Sequence, residues 1–501
     1  MSSAKCIMVQ GTMSGAGKSL LCAALCRIFA QDGYKTAPFK SQNMALNSFV
    51  TRDGLEMGRA QVVQAQAAGV EPDVRMNPIL LKPSSDIGSQ VIVNGEVRGN
   101  MPAKEYFRHK RALIPDILQA YNSLAEEFDI IVIEGAGSPA EINLKADDIV
   151  NMGLAKLVDA PVLLAGDIDR GGVFAQLYGT VELLEPEERA RIQGLVINKF
   201  RGDVEILRPG LSMLEEKTHL PVVGVVPYLK VDIEDEDSLS DRLQQKNAVK
   251  PLDVAILRLP HISNFTDFMP LEQHPLLGVR YVQTTRELGA PDLVILPGTK
   301  NTMDDLLWLR QSGLEAAVQK LAAGGTPVLG VCGGYQMLGK TLDDSTGTES
   351  GHPQTLRGLG LLPTRTVFTN EKRRTQSTAT TAAPFAGAEL AGYEIHTGRT
   401  SIQEQGAPFC TLADGTPEGC VQGNVFGTYL HGLFDSGELT ERLAELLCRR
   451  KGIAMDSAAL IPMEQYRQQQ FDLLADGVRH ALDMPAVYAA MGLTGPKEER
   501  T

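Results

Sequence analysis

Apolar residues follow two different periods in the first half of the chain. Residues 19–30 place Leu21, Leu25 and Phe29 on one face of a helix, at helical spacing. Short runs without a polar residue read instead as fully buried strands, and they lie at residues 6–9, 130–133, 162–165 and 195–197. Buried strands alternating with helices predict an α/β domain, a doubly wound parallel sheet covered on both faces.

The pattern breaks at an acidic stretch and then begins again. Residues 232–241 hold six acidic side chains, and new apolar runs follow at 254–257, 293–296 and 328–331. We therefore expect domains at 1–231 and 251–491, joined by an acidic linker at 232–250. An acidic loop inside a single domain stays open as the alternative. Residues 364–388 read as a loop rich in Thr, Ala and Ser, and residues 463–491 as a helical tail.

Composition narrows the functional classes. The 501 residues are 43% hydrophobic with a net charge of −13, which disfavours binding to a nucleic-acid backbone. No apolar run long enough for a transmembrane helix occurs, and the N-terminus lacks the pattern of a signal peptide. The seven cysteines are scattered, which fits neither a zinc site nor a disulfide framework. A cytoplasmic protein is expected.

The first candidate site is a glycine-rich turn between the first strand and the first helix. Residues 11–19 read GTMSGAGKS, the context of a phosphate-binding loop, whose backbone N–H groups point at phosphate oxygens. Gly11, Gly15 and Gly17 shape the turn. Lys18 would reach the β- and γ-phosphates, and Ser19 would hold Mg²⁺. Thr12 stands where the common pattern has its first glycine.

Four further residues near strand ends are candidates for the same site. Glu134 ends the run 130–133 and is a candidate ligand of Mg²⁺. Asp167 and Asp169 are weaker candidates of the same kind. Lys40 follows a short strand-like run, and its charge would neutralise a phosphate or a substrate carboxylate, although an exposed lysine is an equal alternative.

The second candidate site is a cysteine on a strand-to-helix turn. Residues 330–336 read GVCGGYQ, the layout of a nucleophile elbow with Cys332 as nucleophile. The N–H of Gly333, together with the turn at Gly298, would form an oxyanion hole. The base would be His431 or His396, and spacing alone does not separate them.

These motifs resemble two known families. The segment 330–336 resembles the signature of class I glutamine amidotransferases, which have a flavodoxin-like fold, form a glutamyl thioester and use a later histidine as base, matched by His431. Leu433 replaces their orienting Glu, as is typical of the amidotransferases of cobalamin biosynthesis, which also share the LPGTKNT run at 296–302. The N-terminal half is similar to dethiobiotin synthetase-like ligases, which activate a carboxylate with ATP.

Longer segments resemble one branch of the cobalamin amidotransferases across nearly the whole chain. They are PFKSQNMALNS at 38–48, GDIDRGG at 166–172, INKFRGD at 197–203 and GYEIHTG at 392–398. The resemblance adds Asn198 to the nucleotide-binding residues. It implies ATP- and Mg²⁺-dependent amidation of the b, d, e and g carboxylates of adenosylcobyrinic acid a,c-diamide, giving adenosylcobyric acid.

The resemblance also implies the partners: glutamine, ATP and a corrinoid that carries its own cobalt, with no cobalt bound by the protein. The alternatives are cobyrinic acid a,c-diamide synthase, the isoglutaminyl synthase of cell-wall precursors, and an ATP-switched P-loop binding protein without enzymatic activity. That last class has no use for the Cys332 elbow. The sequence leaves open whether the chain forms a homo-oligomer.

Overall fold

A computed structural model of the chain describes residues 4–85, 88–234, 249–403, 406–455 and 461–497. The chain divides into two compact units. The first unit consists of residues 1–45, 56–233 and 467–501, and the second of residues 46–55 and 234–466. Each unit is built around its own parallel sheet.

The first half of the chain contributes twelve strands and eight helices among its described residues. The strands are β1 (Lys5–Gly11), β2 (Thr36–Phe39), β3 (Gln42–Met44), β4 (Ser48–Val50), β5 (Glu56–Gly58), β6 (Ile79–Ser85), β7 (Gly88–Val93), β8 (Glu96–Pro102), β9 (Ile130–Glu134), β10 (Val162–Asp167), β11 (Ile192–Phe200) and β12 (Val222–Pro227). The helices are α1 (Lys18–Gln31), α2 (Arg59–Ala67), α3 (Ala103–His109), α4 (Ile114–Glu127), α5 (Met152–Leu157), α6 (Val173–Leu183), α7 (Pro186–Arg189) and α8 (Val204–Thr218).

The second half of the chain again contains both strands and helices. No helix in the described ranges is long and apolar enough to cross a membrane. Its strands are β13 (Leu252–Leu257), β14 (Leu277–Val282), β15 (Leu293–Leu296), β16 (Val328–Val331), β17 (Thr341–Asp344), β18 (Gln354–Arg357), β19 (Thr364–Thr381), β20 (Glu389–Ile402), β21 (Cys410–Leu412), β22 (Pro417–Glu418), β23 (Cys420–Gln422), β24 (Val425–Thr428) and β25 (Leu430–His431). Its helices are α9 (Met269–Gln273), α10 (Thr285–Leu288), α11 (Thr302–Gln311), α12 (Leu314–Ala323), α13 (Gly333–Leu338), α14 (Glu438–Lys451), α15 (Met463–Ala481) and α16 (Met484–Ala490).

The main sheet of the first unit has the strand order β12-β11-β10-β1-β9-β2, and its pairs are parallel. The four apolar runs that predict strands in the first half of the chain all lie in this sheet, in β1, β9, β10 and β11. The side chains of β9 and β10 are buried throughout, as expected for strands covered on both faces. Since parallel strands end at one edge, the residues that follow β1, β9, β10 and β11 come together there.

The main sheet of the second unit has the order β14-β13-β15-β16-β24-β23. Its first five strands are parallel and follow the flavodoxin-like order, while β23 pairs antiparallel with β24. Strands β17–β22 and β25 form a second, mostly antiparallel sheet. The predicted pair of α/β folds is confirmed.

Two expectations need correction. Residues 364–381, predicted as a loop, form the long strand β19, paired with β20. The reason is that threonine, a β-branched residue, suits a pleated strand as well as a loop. The predicted helical tail exists as α15 and α16, but residues from Arg467 onward belong to the first unit and not the second.

The reason for the second correction is the apolar stripe of α15, formed by Phe471, Leu474 and Val478, which packs into the core of the first unit. Most of the predicted linker at 232–250 lies outside the described residues, so the linker stays a prediction.

Candidate active sites

The glycine-rich turn of the first unit lies between β1 and α1. Gly15 and Gly17 adopt positive φ angles of 75° and 87°, which side chains with a Cβ rarely adopt. A Cβ on Gly17 would also lie 2.2 Å from the Asn198 amide nitrogen. The turn therefore requires glycine at this position for both its conformation and its packing.

Lys18, the first residue of α1, folds back over the turn. Its Nζ donates hydrogen bonds to the carbonyl oxygens of Met13 (3.0 Å) and Gly137 (3.1 Å). The side chain is largely buried. The ammonium group is thus held above the turn, where a polyphosphate would meet it.

Glu134 accepts hydrogen bonds from several polar and charged groups beside the turn. Its carboxylate accepts hydrogen bonds from the Ser19 hydroxyl (2.9 Å), Lys40 Nζ (2.8 Å) and Gln64 Nε2 (2.6 Å). Burial would raise the pKa of this carboxyl, but Lys40, Gln64 and Lys18 outweigh burial and lower the pKa. The carboxylate is therefore ionised at neutral pH. The predicted residues Lys18, Ser19, Lys40 and Glu134 form one cluster.

Side chains at the end of β11 form hydrogen bonds with the glycine-rich turn. Asn198 Nδ2 donates to the Ala16 carbonyl (2.8 Å), and Lys199 Nζ donates to the Gly15 carbonyl (2.7 Å) and to the buried Asp167 (2.9 Å). In a trans peptide the following N–H points opposite to the carbonyl. These contacts therefore turn successive N–H groups of the loop away from β11, which is the arrangement of an anion-binding nest.

In the second unit, Cys332 occupies the sharp turn between β16 and α13. Its backbone has φ 51° and ψ −109°, a strained conformation for a residue other than glycine. Its Sγ lies 3.7 Å from the Ile395 carbonyl oxygen. Gly334 must be glycine, because a Cβ would come within 2.0 Å of the Leu296 carbonyl oxygen. The predicted elbow is present.

The turn after β15 adjoins this elbow. A Cβ added to Gly333 would lie 2.6 Å from Thr299 Cγ2 and 3.2 Å from its backbone nitrogen. A Cβ on Gly298 would lie 3.1 Å from His431 Cε1. The Ser263 N–H fixes the turn by donating to the Gly298 carbonyl (2.9 Å). Both predicted oxyanion-hole glycines thus lie beside the nucleophile and the imidazole.

His431 is oriented by Asp267, a residue that the sequence did not identify. Its Nδ1 lies 2.7 Å from Asp267 Oδ2, and the Gly432 N–H donates to Asp267 Oδ1 (3.0 Å). Both side chains are buried. Burial would lower the pKa of His431, but Asp267 and the hydrogen-bonded Cys332 raise it to about 10. The imidazole is therefore protonated at neutral pH.

His396, the competing candidate base, is engaged elsewhere. Its Nδ1 lies 2.7 Å from the Gly398 carbonyl oxygen and its Nε2 lies 3.1 Å from Glu394 Oε2. Its ring stacks on Tyr429 at 3.6 Å between centroids. Since both nitrogens face oxygen acceptors, neither is available to Cys332. The structure brings His431, and not His396, to the nucleophile.

A cavity of about 740 Å³ lies beside strands β19 and β20. Tyr335 of α13, His396, Gly398 and Tyr429 are among the residues that line it. This volume is in the range of small-molecule sites in proteins. Cys332 and His431 are not among the described residues that line it, so the cavity does not by itself locate a substrate at the elbow.

Asp267 carried one signal that the sequence analysis could have used. It lies in the loop that follows β13, and Cys332 follows β16 at the same carboxyl edge of the same sheet. A carboxylate in a loop at that edge is a candidate partner for the histidine. Because Leu433 stands where the resembling family has its orienting Glu, a carboxylate from another part of the chain is needed to orient the histidine.

The resemblance of residues 330–336 to class I glutamine amidotransferases implies glutamine hydrolysis at this elbow. We expect Asp267→Asn to lower the kcat of that reaction roughly 10²- to 10⁴-fold, because the amide cannot stabilise the imidazolium and favours the wrong tautomer. The folded-state pKa of His431 lies above its ordinary value of about 6.5. The stability that this shift provides is complete below about pH 6.5 and is lost as the pH rises through about 10. The variant should lose this pH dependence, measured as the free energy of unfolding between pH 6 and 10.

The matched control is Asp253→Asn, which removes a carboxylate from the same unit. Asp253 pairs with Arg280 near the surface (2.7 Å), and such pairs contribute little. Its kcat should equal that of the wild type. An Asp267→Asn variant with wild-type kcat would show that Asp267 does not orient the histidine in catalysis.

Comparison with known proteins matches both halves. Residues 7–239 match the CobQ/CobB/MinD/ParA nucleotide binding domain, and residues 253–439 match the CobB/CobQ-like glutamine amidotransferase domain. The chain is 56% identical to a cobyric acid synthase of Ruminiclostridium cellulolyticum, covering 97% of this chain and 96% of that protein. It is 57% identical to one of Lachnoclostridium phytofermentans, covering 97% and 99%, and 52% identical to one of Streptococcus sanguinis, covering 97% and 98%.

Proposed function

The chain belongs to the cobyric acid synthase family, and we propose that it amidates the b, d, e and g carboxylates of adenosylcobyrinic acid a,c-diamide to give adenosylcobyric acid. As a member of this family it is a glutamine-dependent ligase of cobalamin biosynthesis. The observation that supports the proposal is that one chain carries two separate clusters of candidate catalytic and binding residues. Glu134 and the glycine-rich turn form one, and Cys332, His431 and Asp267 form the other.

In the proposed glutaminase reaction, the sulfur of Cys332 attacks the side-chain amide carbon of glutamine. The N–H groups of Gly298 and Gly333 stabilise the oxyanion. The protonated imidazole of His431 gives its proton to the departing nitrogen, so that ammonia leaves and a glutamyl thioester remains. The neutral ring then takes a proton from water, which cleaves the thioester and releases glutamate.

In the proposed ligase reaction, a substrate carboxylate attacks the γ-phosphate of ATP. An acyl phosphate and ADP form, and ammonia displaces phosphate to give the amide. The N–H groups of residues 11–19 and the Lys18 ammonium stabilise the charge on the phosphoryl group, with little covalent chemistry left to the protein. Asn198 holds the turn in shape, and Lys40 neutralises Glu134 or an incoming anion.

Mg²⁺ fits this site, because the Ser19 hydroxyl and the Glu134 carboxylate are adjacent oxygen donors of the kind that Mg²⁺ prefers. When bound, it would neutralise charge on the nucleotide phosphates. We infer that these two residues hold it.

Product analysis with two corrinoid acceptors tests the substrate. The protein is incubated with ATP, Mg²⁺ and glutamine, and with either adenosylcobyrinic acid a,c-diamide or cobyrinic acid. We expect four successive amidations of the first acceptor, resolved by mass spectrometry, each consuming one ATP and one glutamine. Amidation of cobyrinic acid at the a and c carboxylates instead would identify the alternative, a cobyrinic acid a,c-diamide synthase.

A further inference from the structure

A short segment of the N-terminal half is part of the second unit. Residues 46–55 belong to that unit, while the residues before and after them belong to the first. The segment contains β4 and a tight turn, closed by the Thr51 N–H donating to the Leu55 carbonyl (2.8 Å). We call it the 46–55 segment. Part of the predicted first domain, residues 1–231, thus belongs to the unit that holds Cys332.

The 46–55 segment is bonded to the loop that precedes Asp267. Asn47 Oδ1 accepts a hydrogen bond from the Asn264 N–H (2.6 Å), and the Asn264 amide donates to the Ser48 carbonyl (3.1 Å). These three residues are buried. Asn264 has a positive φ of 53° and is the first residue of a turn. The Asp267 N–H closes this turn by donating a hydrogen bond to the Asn264 carbonyl oxygen (3.1 Å). The segment therefore fixes the start of the turn that carries Asp267.

The same segment is bonded to the neighbour of His431. The Tyr393 hydroxyl donates to the Ser48 carbonyl (3.0 Å) and accepts from the Asn264 amide (2.7 Å). The Tyr393 ring stacks on the His431 imidazole with 5.4 Å between ring centroids, and the Phe49 ring packs edge-on against the Tyr393 ring with 5.1 Å between centroids. Both members of the carboxylate–histidine pair thus adjoin a residue that the segment holds.

We propose that the 46–55 segment is a positioning element of the glutaminase site, which sets the register of Asp267 against His431 through Asn264 and Tyr393. The inference rests on the proposed function. A displacement of about 1 Å at a catalytic group costs roughly 10²-fold in rate. The buried hydrogen bonds of the segment thus act on turnover through Asn264 and Tyr393.

The test measures glutamine hydrolysis by two variants of the full chain. Asn47→Ala removes the acceptor for the Asn264 N–H. Tyr393→Phe removes only the hydroxyl and keeps the ring on His431. We expect each to lower kcat roughly 10- to 100-fold, with the KM for glutamine within about twofold of wild type. Asn47→Asp keeps an acceptor oxygen and should restore most of the rate.

The matched control is Asp53→Ala at the exposed tip of the same segment, which should behave as the wild type. A double variant separates positioning from general loosening. If Asn47 acts through Asp267, the Asn47→Ala effect should nearly vanish in the Asp267→Asn background.

Three results would overturn the inference: wild-type kcat in both variants, a change in KM alone, or full additivity in the double variant. A loss of kcat together with a large fall in the melting temperature, not restored by Asn47→Asp, would also count against it. Failure of the wild type itself to hydrolyse glutamine would instead refute the proposed function.

Discussion

Replacement of Cys332 by Ala should abolish amidation with glutamine and leave amidation with ammonium intact. The thiol forms the bond to the glutamyl group, which alanine cannot form. Loss of a nucleophile that acts together with its base costs roughly 10⁴-fold or more. Free ammonium bypasses that step. The measurement is amide formation by the wild type and the variant with each nitrogen donor.

Lys18→Ala provides the comparison at the other site. Its ammonium is held over the phosphate loop by two carbonyl oxygens, and without it the ligase reaction loses its main fixed charge. We expect failure with both nitrogen donors, while hydrolysis of glutamine alone continues. If Cys332→Ala still used glutamine, the nucleophile assignment would be wrong, and the second unit would have to be a binding module.

Both motifs could be predicted because each is local in the chain. A buried strand, a glycine-rich turn and a helix N-terminus follow one another at residues 11–19 and again at 330–336. The backbone conformations that matter, such as the positive φ of Gly17 and the strained turn at Cys332, lie within these motifs. Local motifs of this kind carry their own structural context.

The features that could not be predicted from the sequence depend on contacts between distant parts of the chain. Asp267 reaches His431 across 164 positions of sequence, and the 46–55 segment reaches Asn264 and Tyr393 across still more. Spacing carries no information about such pairs, since only the strand order brings them together. The strand at 364–381 was missed for a related reason: its pairing partner β20, and not its composition, decides its structure.

The C-terminal helices show the same dependence in the first unit. Nine buried apolar side chains of these helices and the residues that directly follow each of them belong to its core: Phe471, Leu474, Ala475, Val478, Leu482, Met484, Val487, Tyr488 and Met491. Arg479 forms two hydrogen bonds of 2.9 Å with Asp32, which also accepts from the Tyr488 hydroxyl. The Asp483 N–H donates to the Val223 carbonyl of β12 (2.7 Å). These helices thus complete the nucleotide-binding unit.

A chain that ends at Tyr466 should therefore fail to fold its first unit. Burial of a large apolar side chain contributes about 1.5–3 kcal/mol, so the lost burial is at least comparable to the whole stability of a typical domain, about 5–15 kcal/mol. Phe471→Ala should cost about 3–5 kcal/mol, and Arg479→Ala, which keeps the apolar contacts, should cost less. Thermal unfolding and ATP affinity provide the measurement. Wild-type ATP affinity in the shortened chain would mean that the first unit folds without these helices, and that their packing there is incidental to nucleotide binding.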